Sequence, residues 1–378
     1  MKVVMSGGGT GGHIYPAIAI AETIKANYPD AEIIFTGNPQ GLESKITTEA
    51  GYRFYPIECR GLVRSLSLRN IKSAYLAVFS PMKAKKLLRE FKPDIVIGTG
   101  GYVCWPTLKA ASDLGIHSAI HESNSVPGLA VKMLSGRVER IWTNYEETIK
   151  AIGHPEKSVR VGNPLRNKFT TVSPEEAKKQ VGGGRHYDTY IMSVGGSGGA
   201  ERLNECALEL MRDYIAKRPD IFYVHITGRR DYENTRKRFA EAGLDKYQNI
   251  RLLDYTDSMP CYMAAADIVI SRAGALTLSE LALMSKAAIL IPSPNVTNNH
   301  QYCNSKVLAD NDAAVMIEEK NLLPGVIVEK TDKLVGDPLM RRKLSRNIKT
   351  FAYEDSNERI LEEIVSMTGI APTKNYGK

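Results

Sequence analysis

Most of what this sequence offers to chemistry begins just after its first apolar run, in Gly7-Gly8-Gly9-Thr10-Gly11-Gly12-His13. Glycines let the main chain approach a ligand closely, and a helix that follows presents N–H groups to an anion. Pro16 suits the first turn of that helix. Gly7, Gly9 and Gly12 fit the G-x-G-x-x-G spacing of dinucleotide sites, but such a site also wants an acid after the second strand. Here the second strand ends Phe35-Thr36-Gly37, which disfavours nicotinamide binding. His13 closes the turn. An imidazole there can take up a proton near neutral pH, or it can be a hydrogen-bonded structural group.

A second glycine turn, Gly195-Gly196-Ser197-Gly198-Gly199-Ala200, lacks the P-loop Gly-Lys-Ser/Thr ending. It reads as an anion cradle with the Ser197 hydroxyl as a donor. A third segment, Ser271 to Glu280, follows a strand and opens a helix. N–H groups at Ala275, Leu276 and Thr277 would meet a phosphate there, with Arg272 nearby as charge or as plain surface. Glu280, one turn on, could accept from two ribose hydroxyls, although acids near helix starts are favoured in any case. Asn298-Asn299-His300-Gln301 could read sugar hydroxyls or form a polar loop with an Asn cap. Asp310-Asn311-Asp312 follows a helix rather than a strand end and reads as a solvated turn, not a metal site. Cys59, Cys104, Cys206, Cys261 and Cys303 show no metal-ligand spacing and read as buried thiols of a reducing compartment.

The elements around these turns are legible. Val3-Val4-Met5, Ile33-Ile34-Phe35, Asp94 to Ile97 and Ser118 to Ile120 read as strands alternating with helices such as Ala17 to Lys25 and Leu129 to Leu134. The pattern restarts at Tyr190 to Val194, then Phe222 to Ile226, Ile268 to Ile270 and Ala288 to Ile291. Alternation of this kind makes parallel sheets with helices on both faces. The expected fold is α/β, two Rossmann-like doubly wound lobes facing a cleft. The expected boundaries are 1–164 for a first lobe, 165–353 for a second, and 354–378 for a last helix and tail that packs back on the first.

A length of 378 residues fits two domains, and 43% apolar with 24% charged residues excludes a disordered or fibrous chain. The net charge of +8 is uneven. Residues 1–168 hold 22 Lys and Arg against 14 Asp and Glu, whereas 169–378 hold 28 of each. An anionic partner is therefore expected for the first lobe only: nucleic acid, an anionic membrane surface or a phosphorylated substrate. Arg60, Arg64, Arg69, Lys72, Lys83, Lys85, Lys86 and Arg89 interleave with Leu66, Leu68, Ile71, Tyr75, Leu76, Val78 and Phe79. This suits an anionic membrane surface, and an amphipathic helix packed on the sheet is its plainer alternative. No apolar stretch reaches the roughly 20 residues of a spanning helix, and the start does not read as a secretory signal. The chain is therefore expected in the cytoplasm, in contact with an anionic membrane surface.

Together these motifs resemble the bacterial peptidoglycan N-acetylglucosaminyltransferases that convert lipid I to lipid II. The elements that carry the likeness are Gly8 to His13, Gly98-Thr99-Gly100-Gly101-Tyr102, His121-Glu122-Ser123-Asn124 and Gly162 to Arg166. The Ser197 turn, Arg272 to Thr277 and His300-Gln301 complete the set, which spans residues 1 to about 365. The resemblance implies a glycosyltransferase type B fold. Its second lobe would bind UDP-N-acetylglucosamine and its first the undecaprenyl-linked lipid I. On that pattern Arg166 and Ser197 contact the diphosphate region, Thr256 lies beside the uracil, Ala275 to Thr277 hold phosphate and Glu280 the ribose. Gln301 reads the sugar, and Thr10, Gly11, Gly12 and Asn124 face it from the first lobe. Gly198 stands where the family usually carries Gln, and Ser123 and Val126 also differ from its common choices.

The implied reaction inverts the anomeric carbon, with the C4 hydroxyl of N-acetylmuramic acid as attacker. His13 is the first choice of base and Glu122 the second. Helix-start amides and Arg272 would stabilise the departing UDP, with no cofactor or divalent metal demanded by any motif. The rivals are a UDP-N-acetylglucosamine epimerase or another glycolipid glycosyltransferase, a nicotinamide dehydrogenase, and a non-catalytic sugar-binding protein.

Overall fold

The computed structural model describes residues 1–61, 68–166, 172–196 and 198–373, with backbone alone at 68–72 and 74. The chain divides into two compact units, Met1–Leu165 with Tyr353–Lys378, and Arg166–Ala352.

In the first unit the elements run β1 (Lys2–Ser6), α1 (Gly11–Asn27), β2 (Glu32–Gly37), α2 (Leu42–Glu49), β3 (Arg53–Pro56), α3 (Leu68–Phe91) and β4 (Ile95–Gly98). They continue α4 (Cys104–Leu114), β5 (His117–Glu122), α5 (Leu129–Ser135), β6 (Arg140–Thr143), α6 (Glu146–Ile152) and β7 (Ser158–Arg160). The strands form one parallel sheet in the order β3-β2-β1-β4-β5-β6-β7. The central strands read as unbroken apolar runs because both their faces are covered. One face packs Val3, Met5, Phe35, Ile95 and Ile97 against α1. The other packs Val4, Ile34, Val96 and Ile120 with Leu88, Leu108 and Val131.

The second unit holds α7 (Pro174–Val181), β8 (Thr189–Val194), α8 (Glu201–Asp213), β9 (Ile221–Ile226), α9 (Tyr232–Glu241), β10 (Ile250–Leu253) and α10 (Met259–Ala265). Then come β11 (Ile268–Ser271), α11 (Ala275–Leu283), β12 (Ala287–Leu290), α12 (His300–Ala309), β13 (Val315–Met316), α13 (Val326–Gly336) and α14 (Pro338–Lys349). Its sheet is also parallel, ordered β10-β9-β8-β11-β12-β13. The last helix, α15 (Ser356–Thr368), belongs to the first unit. There Ile360, Leu361, Ile364 and Met367 join the core beneath α1, and the Tyr28 hydroxyl donates to the Ile370 carbonyl at 2.6 Å.

This topology fixes where ligands can bind. Strand order reverses between β1 and β4 in one sheet and between β8 and β11 in the other. Open α/β sheets take ligands beyond the carboxyl ends of the strands at that reversal. Ser6 pairs with Gly98, and Val194 with Ser271, so each reversal brings two loops side by side. All four are loops that the sequence marks.

One expectation needs correcting. α1 begins at Gly11, so Pro16 lies inside the helix, where it cannot donate to the Gly12 carbonyl, rather than in the first turn. The cause is the glycine turn itself: Thr10 already accepts from His13 and Ile14, and so starts the helix early.

Candidate active site

In the first unit the site is built from the β1 and β4 turns. His13, in the first turn of α1, is half-buried. Its Nδ1 lies 3.0 Å from the Gly8 carbonyl oxygen and 3.3 Å from the Thr10 hydroxyl. A carbonyl can only accept, so Nδ1 carries the hydrogen and the neutral ring keeps its lone pair on Nε2. The His13 carbonyl accepts from the Thr99 hydroxyl at 2.6 Å, which ties the helix start to the β4 turn. Gly100 and Gly101 have φ of +104° and +82°. A Cβ on Gly101 would stand 2.2 Å from the Gly8 oxygen, and one on Gly100 would stand 2.7 Å from the His13 ring. Only glycine lets this turn wrap the imidazole. Thr10 and Gly12 are exposed, and Gly11 is partly so. The Tyr102 ring stands close over Gly9, since a Cβ there would meet it at 3.3 Å.

Glu122 ends β5 and is buried. Its Oε1 accepts from the Asn124 main-chain N–H at 3.0 Å and from the Asn124 side-chain amide at 2.9 Å. Its Oε2 accepts from the Gly128 N–H at 2.8 Å. Both oxygens thus hold the loop from Ser123 to Gly128 and fix the half-buried Asn124. His121, wholly buried beside it, bonds the Gly162 carbonyl through Nε2 at 2.8 Å. Burial pushes that imidazole down to about 4, so it stays neutral.

In the second unit β11 leads through Arg272-Ala273-Gly274 into α11. Gly274 caps the helix in an extended conformation without a side-chain bond, and no acid lies in the first turn. The first intrahelical donor is Leu278, bonded to the Gly274 carbonyl, so Leu276 and Thr277 lie ahead of the ladder. A helix start of this kind presents N–H groups that an anion can accept from, as expected for Ala275 to Thr277. Glu280 is half-buried on the same helix, and among the described residues no hydrogen bond to its carboxylate is present. Burial pushes its carboxyl up to about 8.

Arg272 is held inside the fold. Its guanidinium is mostly buried, pairs with Glu319 at 2.5 Å and donates to the Ile291 carbonyl at 3.1 Å. Arg272 is therefore not the surface charge that its plainer reading expects. Gln301 is likewise engaged, accepting from the Ser293 N–H at 2.9 Å, which leaves its amide NH₂ as a donor. The two residues Asn298 and Asn299 before α12 are left-handed, at φ of +55° and +52°. The Thr256 hydroxyl accepts from the Ser258 N–H at 3.0 Å, just before α10. Arg166 is exposed at the start of the unit. Ser197 lies outside the described residues, as do Arg64 and Leu66 of the basic stretch. Asp310 and Asp312 pair with Lys306 and Lys343, as a solvated turn does. Cys59, Cys104 and Cys206 are buried as expected, but Cys261 and Cys303 are only half-buried; all five are free thiols.

Two groups escape the sequence reading. Glu43 is a wholly buried carboxylate bonded to the first glycine turn. Under the second turn, the Ser193 hydroxyl meets the Tyr223 hydroxyl at 2.6 Å and His225 Nδ1 at 2.7 Å, while His225 Nε2 meets Asn204 Oδ1 at 2.9 Å. Burial pushes His225 down to about 3, so this is a neutral scaffold beneath the turn. A polar residue within an apolar strand, such as Ser193 or His225, is the one signal that marks such a network.

Comparison with known proteins agrees with this layout. The N-terminal domain model of glycosyltransferase family 28 matches residues 3–143, and the C-terminal domain model matches 190–360. A protein of Thermoanaerobacter sp. (strain X514) is 40% identical over 370 residues, covering 97% of this chain and all of its own. One from Alkaliphilus oremlandii is 37% identical over 372 residues, covering 97% and 99%. Both are named UDP-N-acetylglucosamine–N-acetylmuramyl-(pentapeptide) pyrophosphoryl-undecaprenol N-acetylglucosamine transferase. The crystal structure of Acinetobacter baumannii MurG superposes with a TM-score of 0.77 at 25% identity, covering 97% and 99%. The UDP-GlcNAc 2-epimerase of Neisseria meningitidis, at 15% identity and a TM-score of 0.66 over 97% and 100%, shares the fold alone. On full-length identity and on both domain models, the chain belongs to glycosyltransferase family 28 and, within it, to the N-acetylglucosamine transferases of that name.

Proposed function

We propose that this enzyme transfers N-acetylglucosamine from UDP-N-acetylglucosamine, with inversion, to the C4 hydroxyl of N-acetylmuramic acid in undecaprenyl-pyrophosphoryl-MurNAc-pentapeptide. The observation that carries the reading is the end-to-end match to transferases named for these substrates. The acceptor oxygen attacks the anomeric carbon, the bond from that carbon to the β-phosphate oxygen breaks, and its electron pair leaves with UDP. The hydroxyl proton passes to Nε2 of His13. The bonds that His13 makes through Nδ1 support that role, because they leave Nε2 as the basic nitrogen. Glu122, with both oxygens committed to N–H groups, holds the Asn124 loop rather than moving a proton. Thr10, Gly11, Gly12 and Asn124 serve the sugars from the first unit.

In the second unit the α11 start receives phosphate, Glu280 the ribose, Thr256 the uracil, Gln301 the sugar, and Arg166 with Ser197 the diphosphate. Helix-start N–H groups act where negative charge develops on UDP. The reading carries no cofactor and no tightly held divalent metal. The test is the product made from a lipid I analogue in excess chelator. A β-1,4-linked disaccharide is expected. An α linkage, attachment at another hydroxyl, or a reaction abolished by chelator and restored by one divalent ion overturns the corresponding part.

The enzyme works on the cytoplasmic face of the plasma membrane as a peripheral protein, with no nucleic-acid partner. No helix among the described residues is long and apolar enough to cross a membrane. On α3, however, Tyr75, Val78, Phe79 and Met82 are 58, 66, 46 and 62% exposed. Their spacing puts them on one helical face, and exposed Lys83, Lys86 and Arg89 follow. Apolar side chains beside cations suit a surface of anionic lipid. Replacing Phe79 and Met82 together by Glu should weaken binding to phosphatidylglycerol vesicles by about 10²-fold, since each loses insertion worth roughly 1.5 kcal/mol. Turnover of a soluble acceptor analogue should be unchanged. Equal vesicle binding by the double variant would remove this face from the membrane contact.

A further inference from the structure

We propose that Glu43 is a positioning residue for His13 and acts on it through the Gly8–Gly9 peptide unit. The inference rests on the reading of His13 as the proton acceptor and adds a residue to it.

The Glu43 side chain is wholly buried, in the first turn of α2. Its Oε2 accepts from the Gly9 N–H at 3.1 Å and its Oε1 from the Asn38 N–H at 3.0 Å. A carboxylate removed from water needs such partners, and the helix start favours its charge. The chain leaves room for it by omitting side chains around it. A Cβ on Gly8, Gly37 or Gly41 would stand 2.5, 2.6 or 2.2 Å from a Glu43 atom. Three glycines from two loops therefore enclose one carboxylate.

The Gly9 N–H that Glu43 holds and the Gly8 carbonyl that His13 holds belong to the same peptide. A planar trans peptide points its N–H and its C=O in opposite directions. Glu43 on one side and the imidazole on the other thus bond the two ends of one rigid dipole. Two consequences follow. The peptide cannot rotate, so its oxygen stays aimed at Nδ1 and the ring keeps the tautomer with Nε2 bare. The negative charge behind the N–H polarises the peptide, so the oxygen becomes a better acceptor for an imidazole that gains a proton. A carboxylate that bonds a histidine directly fixes its tautomer in the same way; here a peptide stands between them.

The test begins with the unaltered enzyme, its histidine ring nitrogens isotopically labelled and the His13 signal assigned by its loss in His13→Gln. Neutral His13 is expected with hydrogen on Nδ1. Hydrogen on Nε2 would overturn the proposal without any variant. In Glu43→Gln an amide NH₂ must face one of the two N–H groups, and the tautomer population is expected to move toward Nε2–H. The kcat should fall about 10- to 100-fold, part of what a base supplies, while KM for UDP-N-acetylglucosamine stays within about twofold. Glu43→Asp keeps the charge one methylene away and should recover part of both effects; it carries the test should the Gln variant not fold. A folded Glu43→Gln enzyme with the normal tautomer and normal kcat, altered only in melting temperature, would make Glu43 a packing residue. His13→Ala separates the two failures. Inactive His13→Ala with an unresponsive tautomer overturns the Glu43 assignment alone, whereas active His13→Ala removes the base reading beneath it.

Discussion

His13→Ala should lower kcat by about 10²- to 10⁴-fold, the usual contribution of a general base, and leave the affinity for UDP-N-acetylglucosamine close to normal. The size of the effect follows from the nucleophile. A sugar hydroxyl attacks poorly unless its proton leaves as the bond forms, and at the glycine turns of the first unit His13 bonds through Nδ1, which leaves Nε2 as a basic nitrogen. Glu122 has both oxygens tied to the Asn124 loop. His121 is buried and held neutral by its surroundings. The selectivity follows from the layout, because the residues assigned to the donor nucleotide belong to the other unit. Donor affinity by calorimetry and single-turnover rates with a lipid I analogue check both halves. Near-normal turnover would remove His13 from proton transfer.

Glu280→Gln should weaken UDP binding by about 10²-fold, from two charge-assisted hydrogen bonds lost at roughly 1.5 kcal/mol each. It should also erase a pH dependence. Burial holds the Glu280 carboxyl up to about 8 in the free enzyme. Ribose hydroxyls donate best to the ionised form, so binding must expel the proton wherever the free group still holds it. The affinity for UDP should therefore rise from about pH 6 to about pH 8 and then level off, by at most tenfold per unit. The partial exposure of Glu280 makes the slope shallower than that limit. Stability has the opposite sign. The folded chain keeps this proton up to about pH 8 while the unfolded chain releases it near its ordinary value of 4.5, so stability falls as pH rises between them. At alkaline pH Glu280→Gln should melt above the parent enzyme while binding UDP worse. Calorimetric titrations and melting curves across this range decide it. An unchanged pH slope in the variant would assign the dependence to another group.

The strands buried on both faces were legible because their sequences are unbroken apolar runs, as at Val3 to Met5, Ile95 to Ile97 and Ile268 to Ile270. The strands at or near the sheet margins were not. β3, β7 and β13 are half-buried and carry residues such as Arg53, Ser158 and Arg160, so periodicity had little to report. The glycine turns were legible since clustered glycine has few other uses, and the topology put them at the two reversals of strand order. What escaped depends on long-range placement. Glu43 looks like an ordinary first-turn acid until the sheet sets its helix against the β1 turn. Arg272 looks free until Glu319, far along the chain, comes to meet it. Pro16 was misplaced because a turn that already bonds as a helix does not announce where it begins.

The central claim is that one enzyme joins the UDP-sugar to lipid I, and acceptor-dependent UDP release measures it most directly. With UDP-N-acetylglucosamine alone, release should stay at background. Adding a lipid I analogue should start release at one UDP per disaccharide-linked lipid formed. Release that ignores the analogue, or tight UDP binding with no disaccharide product, would contradict the account.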